Sequence, residues 1–119
     1  MKVMIADDDP ASRSLLQGFL SKRGFEVTEA VDGQDAMEKI YDITPKALLL
    51  DVSMPRMTGL EVLAELAQKP IEDLKIFMLT GFDGEDETAN MKSAGADMIF
   101  AKPYDLKNLL DELNALNKS

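Results

Sequence analysis

The chain contains no cysteine and no histidine. The first absence excludes disulfides, thiolate metal sites and thiol nucleophiles. The second removes the imidazole as general base and as metal ligand. Positive charge is also scarce: 13 Lys and Arg stand against 22 Asp and Glu, for a formal net charge of -9. Direct nucleic-acid binding is therefore not expected, because such modules carry basic patches; an acidic chain suits a metal cation or a basic partner surface. No apolar run approaches the roughly 18 residues of a membrane helix. The opening Met1-Lys2-Val3-Met4-Ile5 gives way to acidic residues too quickly for a signal peptide. No membrane contact is expected, and the expected location is cytoplasmic.

What is present is ordinary globular material. Of the 119 residues, 45% are hydrophobic, enough to bury a core, and the length fits one domain over 1–119. Short apolar runs alternate with helical patterns from end to end. Residues 2–6 read as a buried strand. Asp9-Pro10 then opens a helix, with Asp as N-cap and Pro at the first helical position. Leu15, Leu16, Phe19 and Leu20 give that helix its apolar face, and Gly24 follows its end. Residues 25–30 alternate and suit an edge strand.

Asp32 starts a second helix carrying Ala36, Met37 and Ile40. Residues 47–50 are the most continuously apolar strand and so the central one. A loop over 51–57 precedes a helix from about Thr58, which has capping-box spacing with Glu61. Residues 74–80 form a fourth strand. Residues 83–94 form a weak helix with little beyond Ala89, Met91 and Ala94 to bury, its start favoured by Asp83, Glu85, Asp86 and Glu87. Residues 97–101 form a fifth strand. Leu106, Leu109, Leu110, Leu113 and Leu116 stripe the last helix. Five strand–helix pairs predict an α/β fold with a doubly wound parallel sheet and helices on both faces. Ligands of such sheets bind at the carboxyl ends of the strands.

Those ends carry the polar chemistry. The first strand runs into Asp7-Asp8-Asp9, the third into Asp51, the fourth into Thr80-Gly81 and the fifth into Lys102-Pro103. Carboxylates about 4 Å apart repel by roughly 4 kcal/mol at an effective dielectric of about 20. A divalent cation relieves that cost, and oxygen-only ligation suits Mg²⁺. A carboxylate also serves as a nucleophile toward phosphorus. A metal ion, the Lys102 ammonium and the Thr80 hydroxyl can each meet a phosphoryl oxygen. Singly, each residue has a plainer reading: Asp9 is an N-cap, Thr80 a structural threonine, Lys102-Pro103 a surface turn. Their joint placement on four strands of one sheet favours the chemical reading.

At these residues the sequence resembles the response-regulator receiver family, the phosphoacceptor domains of two-component signalling. The likeness covers essentially the whole chain. It rests on Val3-Met4-Ile5-Ala6-Asp7-Asp8-Asp9-Pro10, Leu48-Leu49-Leu50-Asp51-Val52-Ser53-Met54-Pro55, Met78-Leu79-Thr80-Gly81, Phe100-Ala101-Lys102-Pro103-Tyr104 and Gly59. The resemblance implies a CheY-like, flavodoxin-like strand order 2-1-3-4-5. It implies that Asp51 accepts a phosphoryl group from a phospho-histidine on a partner histidine kinase or phosphotransfer protein, and so switches binding to a downstream protein target. Asp8, Asp51 and the Ser53 backbone carbonyl would bind Mg²⁺, with Asp7 acting through a metal-bound water. Thr80 and Lys102 would contact the phosphoryl group. The Lys102-Pro103 bond is commonly cis in the family. Such a domain assists only its own phosphorylation and dephosphorylation and is not an enzyme acting on an external substrate.

Two positions depart from, or tune, that pattern. Three residues before the lysine, where many receivers have Tyr or Phe, stands Ile99. Phe100 follows it, but alternate strand residues point to opposite faces. The inward swing of an aromatic ring is not available, and a smaller or different output change is expected in residues 81–94 and around Ile99. Phe82 and Ser53 occupy positions that tune dephosphorylation in the family; a bulky Phe82 predicts slow decay of the phosphorylated form. Two other readings compete. A haloacid-dehalogenase-type phosphohydrolase would use Asp7 and Asp9 as an Asp-x-Asp pair, yet it leaves Asp51 without a role. A receiver-like fold that binds a partner without phosphate would not need the full set Asp7, Asp8, Asp51, Thr80 and Lys102.

Overall fold

A computed structural model describes residues 1–81 and 84–117. The predicted alternation is realised as β1 (Lys2–Ala6), α1 (Pro10–Ser21), β2 (Glu26–Ala30), α2 (Gly33–Ile43), β3 (Ala47–Asp51), α3 (Gly59–Gln68), β4 (Lys75–Thr80), α4 (Glu85–Ser93), β5 (Met98–Ala101) and α5 (Leu106–Asn117). The strands are all parallel, in the order β2-β1-β3-β4-β5. Apolar β3 is central, buried at every position, and β2 is an edge, as the patterning implied.

Alternation along each strand sorts the core into two layers. Met4, Ala6, Leu48, Leu50, Ile76 and Met78 face α2, α3 and α4, where Ala36, Ile40, Val62, Leu63, Leu66 and Met91 meet them. Val3, Ile5, Leu49, Phe77 and Leu79 face α1 and α5, against Leu16, Leu20, Leu109 and Leu113. Ile99 joins the first layer and Phe100 the second, so the two neighbours do face opposite ways.

The helix starts follow their local chemistry. Asp9 caps α1, accepting hydrogen bonds from the Ala11 N–H at 3.1 Å and the Ser12 hydroxyl at 2.9 Å. Thr58 and Glu61 form both halves of the capping box on α3. Helix α4 begins with Glu85, Asp86 and Glu87 in its first turn and buries only Met91; Asp83 and Phe82 lie outside the described residues. Two assignments change. Leu15, expected on the apolar face of α1, is 62% exposed, because the buried line runs through Leu16 and Leu20 and leaves its neighbour turned outward. Ala89 is likewise exposed on α4.

Candidate functional site

The same alternation places the polar residues at the carboxyl edge. Asp7 lies two residues beyond Ile5, Asp51 two beyond Leu49 and Lys102 two beyond Phe100, so all three share the parity of the α1/α5 layer. Carboxylate oxygens of Asp7, Asp8 and Asp51 lie within 4.8 Å of one another. Asp7 and Asp51 are buried and Asp8 is exposed, so the cluster opens to solvent on one side. Lys102 Nζ stands 3.3 Å from Asp51 Oδ2. The Ser53 N–H approaches Asp51 Oδ1 at 3.4 Å, and the side of the Ser53 residue is exposed. The Lys102-Pro103 bond is cis.

Thr80 takes the other parity. It is buried at the end of β4, and its carbonyl accepts the Lys102 N–H at 2.7 Å. It also lines a cavity of about 290 Å³ with Val52, Leu60, Glu87, Asn90 and Met91. Thr80 thus borders both the Asp51 strand end and helix α4.

The electrostatics favour a cation. Burial pushes the Asp7 carboxyl up to about 6; the Asp9 N–H opposes this and the Asp51 charge adds to it. Asp7 Oδ1 accepts that N–H at 2.9 Å. Its Oδ2 is buried with no donor among the described residues. The neighbouring Asp51 carboxylate can share a bond with it only when one of the two holds a proton. An orphaned carboxylate oxygen beside two further carboxylates is an all-oxygen donor set that fits a hard divalent ion. Burial, then the charges of Asp7 and Asp51, likewise push the Tyr104 phenol up to about 12.

Some contacts around the site have no signal in local sequence. Arg13 on α1 donates to the Asp7 backbone carbonyl at 2.8 Å and pairs with Glu29 of β2 at 3.1 Å, tying the Asp7 backbone to both elements. Gly59 is the first residue of α3. A Cβ there would collide with the Asp51 carbonyl oxygen, so the glycine lets α3 pack directly on the end of β3. Asp9 is occupied as a cap, which leaves no Asp-x-Asp pair for a phosphohydrolase.

A doubly wound parallel sheet that gathers three carboxylates and an ammonium at its carboxyl edge defines a class: α/β domains with an acidic, all-oxygen pocket at their strand ends that fits a cation. Comparison with known proteins narrows it. A family model of the response regulator receiver domain matches residues 3–114. Response regulator MprA of Mycobacterium avium (strain 104) is 41% identical over 116 residues, covering 98% of this chain and 50% of that protein. The receiver domain of Francisella response regulator 1452 superposes with a TM-score of 0.93 at 26% identity, covering 98% of this chain and 96% of the other. Response regulator TrrA of Thermotoga maritima, solved in complex with Mg²⁺-BeF, superposes with a TM-score of 0.83 at 30% identity, covering 97% of each chain. The chain belongs to the response regulator receiver domain family. It is a receiver domain of two-component signalling, a family whose general mechanism is phosphorylation on aspartate and which acts as a switch rather than a catalyst. The chain spans about half the length of the curated relatives it matches. Among the described residues, no helix is long and apolar enough to cross a membrane.

Proposed function

We propose that Asp51 is the phosphoacceptor of this receiver and that the domain, taken over residues 1–119, uses Mg²⁺ to load it. The observation that carries the reading is the Asp7–Asp8–Asp51 cluster with Lys102 Nζ 3.3 Å from Asp51 Oδ2. The donor is a phospho-histidine on a partner histidine kinase or phosphotransfer protein, since this chain has no histidine of its own. Asp8, Asp51 and the Ser53 carbonyl would hold the ion, with Asp7 acting through a water. When bound, Mg²⁺ neutralises charge on the carboxylates and on the incoming phosphoryl oxygens.

The chain's own residues do the rest. A carboxylate oxygen of Asp51 attacks phosphorus in line; the bond to the donor imidazole nitrogen breaks and its electron pair stays with the imidazole. Lys102, already beside Asp51, turns its ammonium to a phosphoryl oxygen, and the Thr80 hydroxyl meets another. No water need be activated, and positioning with charge neutralisation suffices. The output is altered binding to a downstream protein target in a cytoplasmic setting. The net charge of -9 supports a basic partner surface rather than nucleic acid for this domain.

Intact-mass spectrometry after incubation with acetyl phosphate tests the reading. The expected result is a gain of one phosphoryl group that requires Mg²⁺. No adduct, together with no binding of beryllofluoride, would instead support a phosphate-independent binding module.

A second expectation concerns the output. Thr80 borders the cavity under α4, and Met91 is the only buried side chain anchoring that helix. A helix so lightly anchored repacks at low cost. Beryllofluoride with Mg²⁺ is therefore expected to move the amide resonances of Met91 and Ile99 as well as those of the site. Shifts confined to residues 51–58 and 102 would count against it.

A further inference from the structure

The loop over residues 52–58 carries Ser53 and joins β3 to α3. Its ends are pinned by main-chain bonds: the Val52 N–H donates to Leu79 O at 3.1 Å, and the Gly59 N–H to Val52 O at 2.9 Å. Its middle is unusual. The Met57 N–H donates to Pro55 O at 2.7 Å, closing a three-residue turn centred on Arg56. Arg56 has φ 65°, a left-handed conformation that a long side chain adopts only under constraint. The constraint is visible across the cleft at the start of α2. Arg56 Nε donates to Asp32 Oδ2 at 2.6 Å, and a second guanidinium nitrogen donates to Asp32 Oδ1 at 3.0 Å. Asp32 is 7% exposed and also caps α2 by accepting the Asp35 N–H at 2.8 Å. Beside it, the Gly33 N–H donates to Met57 O at 3.2 Å, and a Cβ on Gly33 would collide with that same oxygen.

We propose that Arg56 and Asp32 form a clasp that holds this loop against α2 and so positions the Ser53 carbonyl for the cation, making Arg56 a positioning residue of the site. The proposal rests on the Mg²⁺ site described above. Three features converge on it. The planar guanidinium meets the carboxylate with two parallel bonds, the geometry that fixes direction as well as charge. Asp32 is itself immobilised by its capping role, so it is a fixed anchor rather than a mobile surface partner. Within its own loop the turn at Arg56 is closed by the Met57 N–H to Pro55 O bond, and the pair with Asp32 ties that turn to α2, so release of the pair would let residues 53–57 drift from the carboxylate cluster. Neither Arg56 nor Asp32 belongs to that cluster, so the clasp acts only through the loop.

The test uses variants that keep the backbone chemistry. Asn tolerates the left-handed region, so Arg56→Asn removes the anchor without adding strain. Asn caps helices as well as Asp, so Asp32→Asn removes the charge and keeps the cap. Calorimetric titration with MgCl₂ is read alongside amide hydrogen exchange of the metal-free proteins. Each variant is expected to bind Mg²⁺ about fivefold more weakly than wild type, the size expected for a well-oriented pair with one solvent-exposed member. The double variant is expected to be no weaker than either single one, because the two residues act as one unit. The Gly33 amide, which reports the loop's seat on α2, should exchange faster in all three. Wild type that binds Mg²⁺ with the variants equal to it would overturn the clasp alone. Wild type that takes no Mg²⁺ would overturn the cation site and the clasp with it.

Discussion

Asp51→Asn is expected to take up no phosphoryl group from acetyl phosphate at any Mg²⁺ concentration, in the intact-mass experiment that loads the wild type. Asn keeps the shape of the side chain but lacks the anionic oxygen that attacks phosphorus. Lys102→Ala should behave differently. It removes the ammonium that stands 3.3 Å from Asp51 Oδ2 but leaves the nucleophile in place. Losing one preorganised donor to a developing charge costs about 10²–10³ in rate. Lys102→Ala is thus expected to load to the same final mass about a hundredfold more slowly. Equal and complete loss in both variants would assign Lys102 a role in folding the site. An adduct that persists in Asp51→Asn would move the acceptor to another residue.

The second large effect is on stability. Leu49→Ala is expected to cost about 2–5 kcal/mol, because a fully buried leucine leaves both its transfer free energy and a cavity behind. Leu49 is 0% exposed on the central strand, packed between α1 and α5. At a urea m-value of about 2 kcal/mol/M, a cost of that size moves the unfolding midpoint down by about 1–2.5 M. Leu15→Ala is the control. Leu15 is 62% exposed, and its truncation should stay within about 0.5 kcal/mol. Urea unfolding followed by far-UV circular dichroism separates the two. Similar midpoints for both variants would contradict the layer assignment.

The pair also shows where sequence patterning stops. Both leucines sit in apolar stretches with good local periodicity. Leu49 was placed correctly because the run over 47–50, four residues with no polar member, leaves a parallel strand nowhere to be except the middle of the sheet. Leu15 was misplaced because a helix that covers one face of a sheet buries a narrow stripe, and one position of rotation, about 100°, separates Leu16 from Leu15. The carboxyl-edge residues were readable for a different reason. In a parallel sheet every strand ends at the same edge, so Asp7, Asp51, Thr80 and Lys102 had to converge once the strands were identified. Their parity was readable too, since side chains alternate along a strand.

The order of elements, the parallel sheet, the capping residues and the set of strand-end side chains were determined by the amino-acid sequence alone. Each depends on neighbours in the chain or on a strict period. The tertiary structure decided the rest: the burial that leaves Asp7 Oδ2 without a donor, the 3.3 Å approach of Lys102 to Asp51, and the contact of Gly59 with the Asp51 carbonyl. It also decided the pairing of Arg56 with Asp32, 24 residues away. These contacts join residues that are distant in the chain. Their distances depend on how helices and strands pack in three dimensions, which no local pattern of charge or hydropathy encodes.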